Sequence, residues 1–179
     1  MNIPLAKLKA ILLYFGNNTD TKFLGKVKLM KLFYYLDFGH LKKYGSPVTF
    51  DTYVHLEHGP IPSFIKNLID TAADDPDNSI LADTVTFEKP EGIEMYRVLP
   101  KRNFTVGDKN LFSEGEMEIL EQVCSRFGDK NTKYIEDSSH AEAPWKNTTF
   151  LDTIPYELAS QDPDCSVTEE EIKLLLEIV

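Results

Sequence analysis

The chain has 179 residues, a net charge of −10, and eleven Phe, eight Tyr and one Trp. This length suits one ordinary domain with a real core, and the aromatic content argues against intrinsic disorder. The acidic balance argues against general nucleic-acid binding, which needs a basic surface to displace counterions.

The charge is unevenly placed. Residues 1–60 hold eight Lys and four acids, +4, whereas residues 61–179 hold eleven Lys and Arg against twenty-five acids, −14. The acidic remainder favours solubility and encounter with basic proteins. No apolar run approaches the ~20 residues that span a bilayer. Lys7 and Lys9 interrupt the apolar N-terminus, and no small-residue cleavage site follows it. These features predict a cytoplasmic protein without a membrane partner. Cys124 and Cys165 form no CxxC and have no zinc-like spacing against histidine. Both are expected to be reduced, with Cys124 a buried structural thiol.

Leu5, Leu8, Leu12 and Phe15 predict a first helix from Pro4 to Phe15, closed by Gly16. NNTDT is a turn, after which KVKLMKLFYYLDFGHLKKYG forms a long helix from Lys26 to the Tyr44-Gly45 stop. At about 100° per residue, Lys28, Lys31, Tyr35 and Lys42 share a stripe. That stripe is expected to look outward, as a wet strip that meets a partner. Asp37 falls nearly opposite, among Met30, Phe33, Leu41 and Tyr44. A carboxylate there needs a mate, and His40 or His140 is the expected one. A structural tie is the preferred reading of Asp37 over a catalytic acid.

Val54 and Leu56 alternate with Tyr53, His55 and Glu57, which predicts a short strand that Gly59 and Pro60 break. Ile61, Phe64, Ile65, Leu68, Ile69 and Ala72 follow helical spacing, with Pro62 tolerated in the first turn. DDPDNS is a solvated acidic loop. VTFEK and IEMYRVL flank Pro90-Glu91-Gly92 and predict a hairpin, followed by a polar linker. Ser113 and Glu116 form a capping box ahead of an amphipathic helix that ends at Gly128. A short helix over Asp129–His140 follows, with Pro144 and Trp145 at its exit. Thr168 and Glu171 repeat the box and launch EEEIKLLLEIV. The whole reads as a single domain over 1–179 of the α+β class, predominantly helical with a small antiparallel sheet.

Asp51, His55, Glu57 and His58 cluster in one stretch, but HxxH in an extended or turn segment does not bring both rings to one side. A third ligand would have to come from elsewhere, such as His140. We read these residues as strand and turn positions and expect no metal. Ser138, Ser139 and His140 are adjacent, but there is no GxSxG, and neighbours on a helix point apart. Neither GxxxxGK[ST] nor GxGxxG occurs, so no nucleotide or other cofactor is expected. No residue is assigned to catalysis. Trp145 beside Pro144 reads first as a core plug and second as an interface anchor.

Three segments, KLMKLFYYLDFGHLKKYGSPV (Lys28–Val48), YVHLEHGPIP (Tyr53–Pro62) and SSHAEAPW (Ser138–Trp145), resemble the Panacea domain. That domain is also called the SocA-like antitoxin or phage-associated GepA-like domain. The resemblance marks Lys28, Lys31, Tyr35, His58, Gly59, Pro60, His140, Pro144 and Trp145 as family-motif or partner-binding positions. It implies the toxin-neutralising member of a bacterial or prophage toxin–antitoxin pair, not an enzyme, with a cognate toxin as partner. Relatives share the fold while facing different toxins, so partner choice is expected on variable surfaces. Gly59 permits a bend that Pro60 fixes. His140, Pro144 and Trp145 would brace the Lys28/Lys31/Tyr35 strip if their helices pack together. Many relatives carry Gln or a small residue where this chain has Leu36-Asp37. Two rival mechanisms are delivery of the toxin to a cellular protease and an enzyme acting on the toxin or its product through His140, His58 and Asp37. A DNA-binding regulator is disfavoured by the charge.

Overall fold

The computed structural model describes residues 3–92 and 94–178. Its helices are α1 (Leu5–Asn18), α2 (Lys26–Tyr44), α3 (Ser63–Asp74), α4 (Val106–Lys109), α5 (Glu114–Phe127), α6 (Thr132–His140), α7 (Ala143–Lys146) and α8 (Glu169–Ile178), with a 3-10 helix over Tyr156–Gln161. Its strands are β1 (Tyr53–Leu56), β2 (Gly59–Pro62), β3 (Val85–Glu88), β4 (Arg97–Pro100) and β5 (Thr153–Ile154). β1 is the centre of an antiparallel β2-β1-β5 sheet, and β3 pairs antiparallel with β4. The α+β class, mostly helical with small antiparallel sheets, is the observed one.

α2 is the axis of the molecule. It packs against α5, α6, α3, β2 and the 3-10 helix, and between Lys28 and Lys42 only Gly39 is not buried. This overturns the outward lysine strip: Lys28 and Lys31 are fully buried and Tyr35 and Lys42 nearly so. The angular reading assumes that one side of a helix meets water, and α2 has neighbours all round. Its end is as expected, with Gly45 at φ 84 and its N–H donating to the Leu41 carbonyl at 2.8 Å.

Other boundaries follow local contacts. α1 continues through Gly16, where a Cβ would come within 2.9 Å of Pro100; the glycine lets the hairpin lie against the helix. GPIP does not merely end a strand. It is β2, and Glu57-His58 make the turn. β1 buries Tyr53 and His55 and leaves Val54 and Leu56 half-covered, the reverse of the apolar alternation. α3 therefore begins at Ser63, and Phe64 is exposed. The expected second strand of the β3-β4 hairpin begins at Ile93, which lies outside the described residues, as does Val179, where the expected C-terminal helix ends; the observed β4 starts at Arg97. Both expected capping boxes are present, Ser113 with Glu116 and Thr168 with Glu171. A third, Thr105 with Asp108, opens α4 inside the expected linker. Both cysteines are free, Cys124 buried with its thiol pushed up to about 12 by burial. No helix among the described residues is long and apolar enough to cross a membrane.

Candidate functional site

The three buried lysines of α2 solve the same problem differently. Lys28 Nζ donates to the carbonyls of Gly128 at 2.9 Å and Lys130 at 2.6 Å, capping the carbonyl end of α5. Lys31 Nζ donates to the Pro60 carbonyl at 2.8 Å. Burial lowers its pKa to about 7, although Glu136 pulls the other way. Lys42 faces three carboxylates, Asp162 at 2.9 Å, Asp164 at 3.1 Å and Glu142 at 3.2 Å. Burial lowers its pKa, but the carboxylates outweigh this and raise it overall. Tyr34 donates to the second oxygen of Glu142 at 2.7 Å, so this cage joins α2 to the chain before α7 and after the 3-10 helix.

Lys31 lies beneath the β1–β2 hairpin. Gly59 has φ 100, and a Cβ there would sit 2.7 Å from Lys31 Nζ and 2.8 Å from Ser139 Oγ. Only glycine fits, both for its backbone and for the lysine and serine crowding it. Above this junction, Trp145 stacks on His55 with centroids 3.4 Å apart and on His140 at 4.1 Å. Two imidazoles cannot share one face at those separations, so the indole lies between them. Burial lowers the pKa of both histidines, with Lys31 pushing the same way against nearby acids. They are thus neutral rings near pH 7, suited to stacking. His58 is exposed in the hairpin turn, its Nδ1 3.5 Å from Glu136.

Asp37 is the structural tie expected of it, but with other mates. It accepts from Val48 N–H at 2.9 Å, Thr49 N–H at 2.7 Å, the Thr49 hydroxyl and the Tyr53 hydroxyl at 2.8 Å. Burial nonetheless raises its pKa to about 6 against the effect of those bonds. His40 instead contacts the Ser46 carbonyl. Asp51 takes up the first amides of α3, from Phe64 and Ile65 at 3.0 and 2.9 Å.

Tyr35 sits on the other side of α2, its ring tilted at 37° against Phe127 with centroids 4.4 Å apart and Arg126 over both rings. Its hydroxyl is buried beside Ser138, whose own hydroxyl is committed to the Tyr134 carbonyl. These rings floor a cavity of about 370 Å³ that opens between α2 and α5, with Glu142 and Asp164 on its wall.

The structure thus brings Lys31, Gly59, Pro60, His140 and Trp145 to one junction, places Pro144 next to it within α7, and leaves His58 at its rim. Lys28 lies a turn of α2 away, and Tyr35 lies beside Ser138 of α6. His55, Ser139 and Glu136 complete the junction and were not singled out for it. Among the described residues no group of His, Cys, Asp and Glu is arranged to hold a metal ion. The family described as antitoxin SocA-like, Panacea domain, matches residues 29–146. The chain belongs to this family. The Panacea span begins on α2 and ends with α7, so it contains the junction entire, together with the β1–β2 hairpin and α5. α1, β5, the 3-10 helix and α8 lie outside it. No curated protein and no solved structure matches the chain.

Proposed function

We propose that this protein is a cytoplasmic antitoxin that binds its cognate toxin directly and suppresses it by covering its active surface, without chemistry of its own. The observation that carries this reading is the commitment of Lys31, His55, His140 and Asp37 to packing and hydrogen bonds within the fold. Lys31 is sealed under Pro60, His55 and His140 are stacked on either side of Trp145, and Asp37 accepts four hydrogen bonds. The motif residues then act as a framework that holds other surfaces in place. Membership of the SocA-like family supplies the toxin as the class of partner. Affinity would come from a few desolvated apolar anchors, and the acidic surface after Glu114 would speed encounter with a basic partner.

Co-expression with the adjacent gene tests this. The neighbour's product should arrest growth alone, and this chain should restore growth and co-purify with it. A purified mixture separates occlusion from protease delivery: suppression with no protease present favours occlusion, whereas a shortened toxin half-life in cells with full activity in the mixture contradicts it.

A further inference from the structure

Phe150 and Leu151 form the tip of the turn between α7 and β5, with 60% and 66% of their surfaces exposed. Leu151 has φ 72 and Phe50 has φ 55; they are the two non-glycine residues with positive φ among the described residues. A leucine adopts this left-handed conformation only under constraint, since its Cβ crowds the backbone. The constraint is a dense set of bonds. Leu151 N–H donates to the His55 carbonyl at 2.8 Å, and His55 N–H to the Asp152 carbonyl at 2.9 Å. Thr149 donates through both its N–H and its hydroxyl to the Asp152 carboxylate, at 2.8 and 2.7 Å. The tip is therefore fixed to the residue whose ring stacks on Trp145.

A turn that only connects two elements would place glycine or asparagine at the left-handed position and polar side chains at the tip. This one instead holds two large apolar side chains rigidly in water. The β1–β5 pairing, Tyr53 to Ile154 and Val54 to Thr153, stops there, and Asp152 N–H turns back to the Thr149 carbonyl at 2.9 Å, so residues 149–152 close on themselves as a turn. Asp152, which follows Leu151 directly, is exposed, so a carboxylate borders the tip. The family match ends at Lys146, four residues short of Phe150. The tip thus rests on the shared framework without belonging to it.

We propose that the Phe150–Leu151 tip is the anchor that enters an apolar, basic-rimmed cleft on the cognate toxin. This rests on the antitoxin reading and names the contact surface. A convex knob needs a concave partner, its fixed backbone leaves little ordering to be lost on binding, and Asp152, within a segment (61–179) that carries −14, complements a basic rim.

The test is calorimetric titration of the full chain with the protein encoded by the adjacent gene. Phe150→Ser is expected to weaken binding ~10-fold or more, as loss of a hot spot does. Leu151→Gly should also weaken it while leaving the melting temperature unchanged or higher, because glycine relieves the left-handed backbone. Leu174→Ser, on α8 and 58% exposed in the native chain, should leave affinity unchanged. Equal binding by the native and the doubly substituted chain overturns the tip proposal and leaves the antitoxin reading standing. A comparable loss in Leu174→Ser overturns the tip as the anchor. Failure of the native chain to bind or protect overturns both.

Discussion

Asp37 holds four donors drawn from the chain after α2, and removing it leaves all four buried without an acceptor. Asp37→Ala is expected to lose ~3 kcal/mol or more. Asp37→Asn should lose less, since an amide oxygen can serve the two N–H groups while both hydroxyls turn to accept. Urea denaturation of the two variants checks the order. Lys31 carries a pH signature. Its pKa is about 7 in the fold against 10.5 for an ordinary lysine, so between those values the unfolded chain holds a proton that the folded one has released. Stability from this residue therefore rises as pH climbs through that window and is at its lowest below it. Relative to Lys31→Met, the native protein should gain ~1–3 kcal/mol between about pH 6 and pH 9. A constant difference across the window contradicts the assignment. That these lysines mattered was legible in the sequence, as three cations on one side of an apolar helix. Their direction was not, because helical periodicity reports which residues share a face and not what the face meets.

Gly59 decides the β1–β2 hairpin. Its φ of 100, and the 2.7 Å that would separate a Cβ from Lys31 Nζ, mean that Gly59→Ala must move both hairpin and lysine. A loss of ~2–4 kcal/mol is expected, read as a lowered melting temperature. A melting temperature equal to that of the native chain would show that the hairpin yields without cost. The elements that the sequence made legible are those with local signals: α2 with its glycine stop, α5 and α8 with their capping boxes, and α3 with its apolar repeat. α4 carried such a signal too, in Thr105 and Asp108, within what reads as a linker. β5 is two residues long and the 3-10 helix has no apolar repeat, so neither has a local signature. The role of His55 was hidden for the same reason. Its ring is defined by Trp145 and Thr148, some ninety residues away, and no spacing along the chain announces that contact.

Across the whole molecule, Lys42 links the central helix to the segment that follows the family span. Lys42→Met would leave Glu142, Asp162 and Asp164 crowded without their cation, and ~3–5 kcal/mol of stability is expected to go with it. Chemical denaturation near neutral pH measures this, and a neutral result would mean that the cage contributes nothing net. The Panacea framework, α2 with α5, α6, the hairpin and the Trp145 stack, fixes the positions of surfaces that differ in kind. These are the acidic residues of α5, the aromatic cavity beside Arg126, and the apolar tip at Phe150–Leu151. Recognition of a partner requires those surfaces to be held still, and the buried polar ties hold them. The family motif was readable because its residue types recur in order along the chain, and most of them are buried in the fold. The proposed contact surface was not, because nothing in a pair such as Phe150-Leu151 distinguishes exposure from burial until the turn is seen. The most direct test of the account is a mixture of the purified chain with the purified product of its neighbouring gene, with complex formation and toxin activity followed together and no protease present. Activity should fall in proportion to the complex formed and reach zero when all toxin is bound; full activity in the presence of excess chain, or no complex at all, would contradict it.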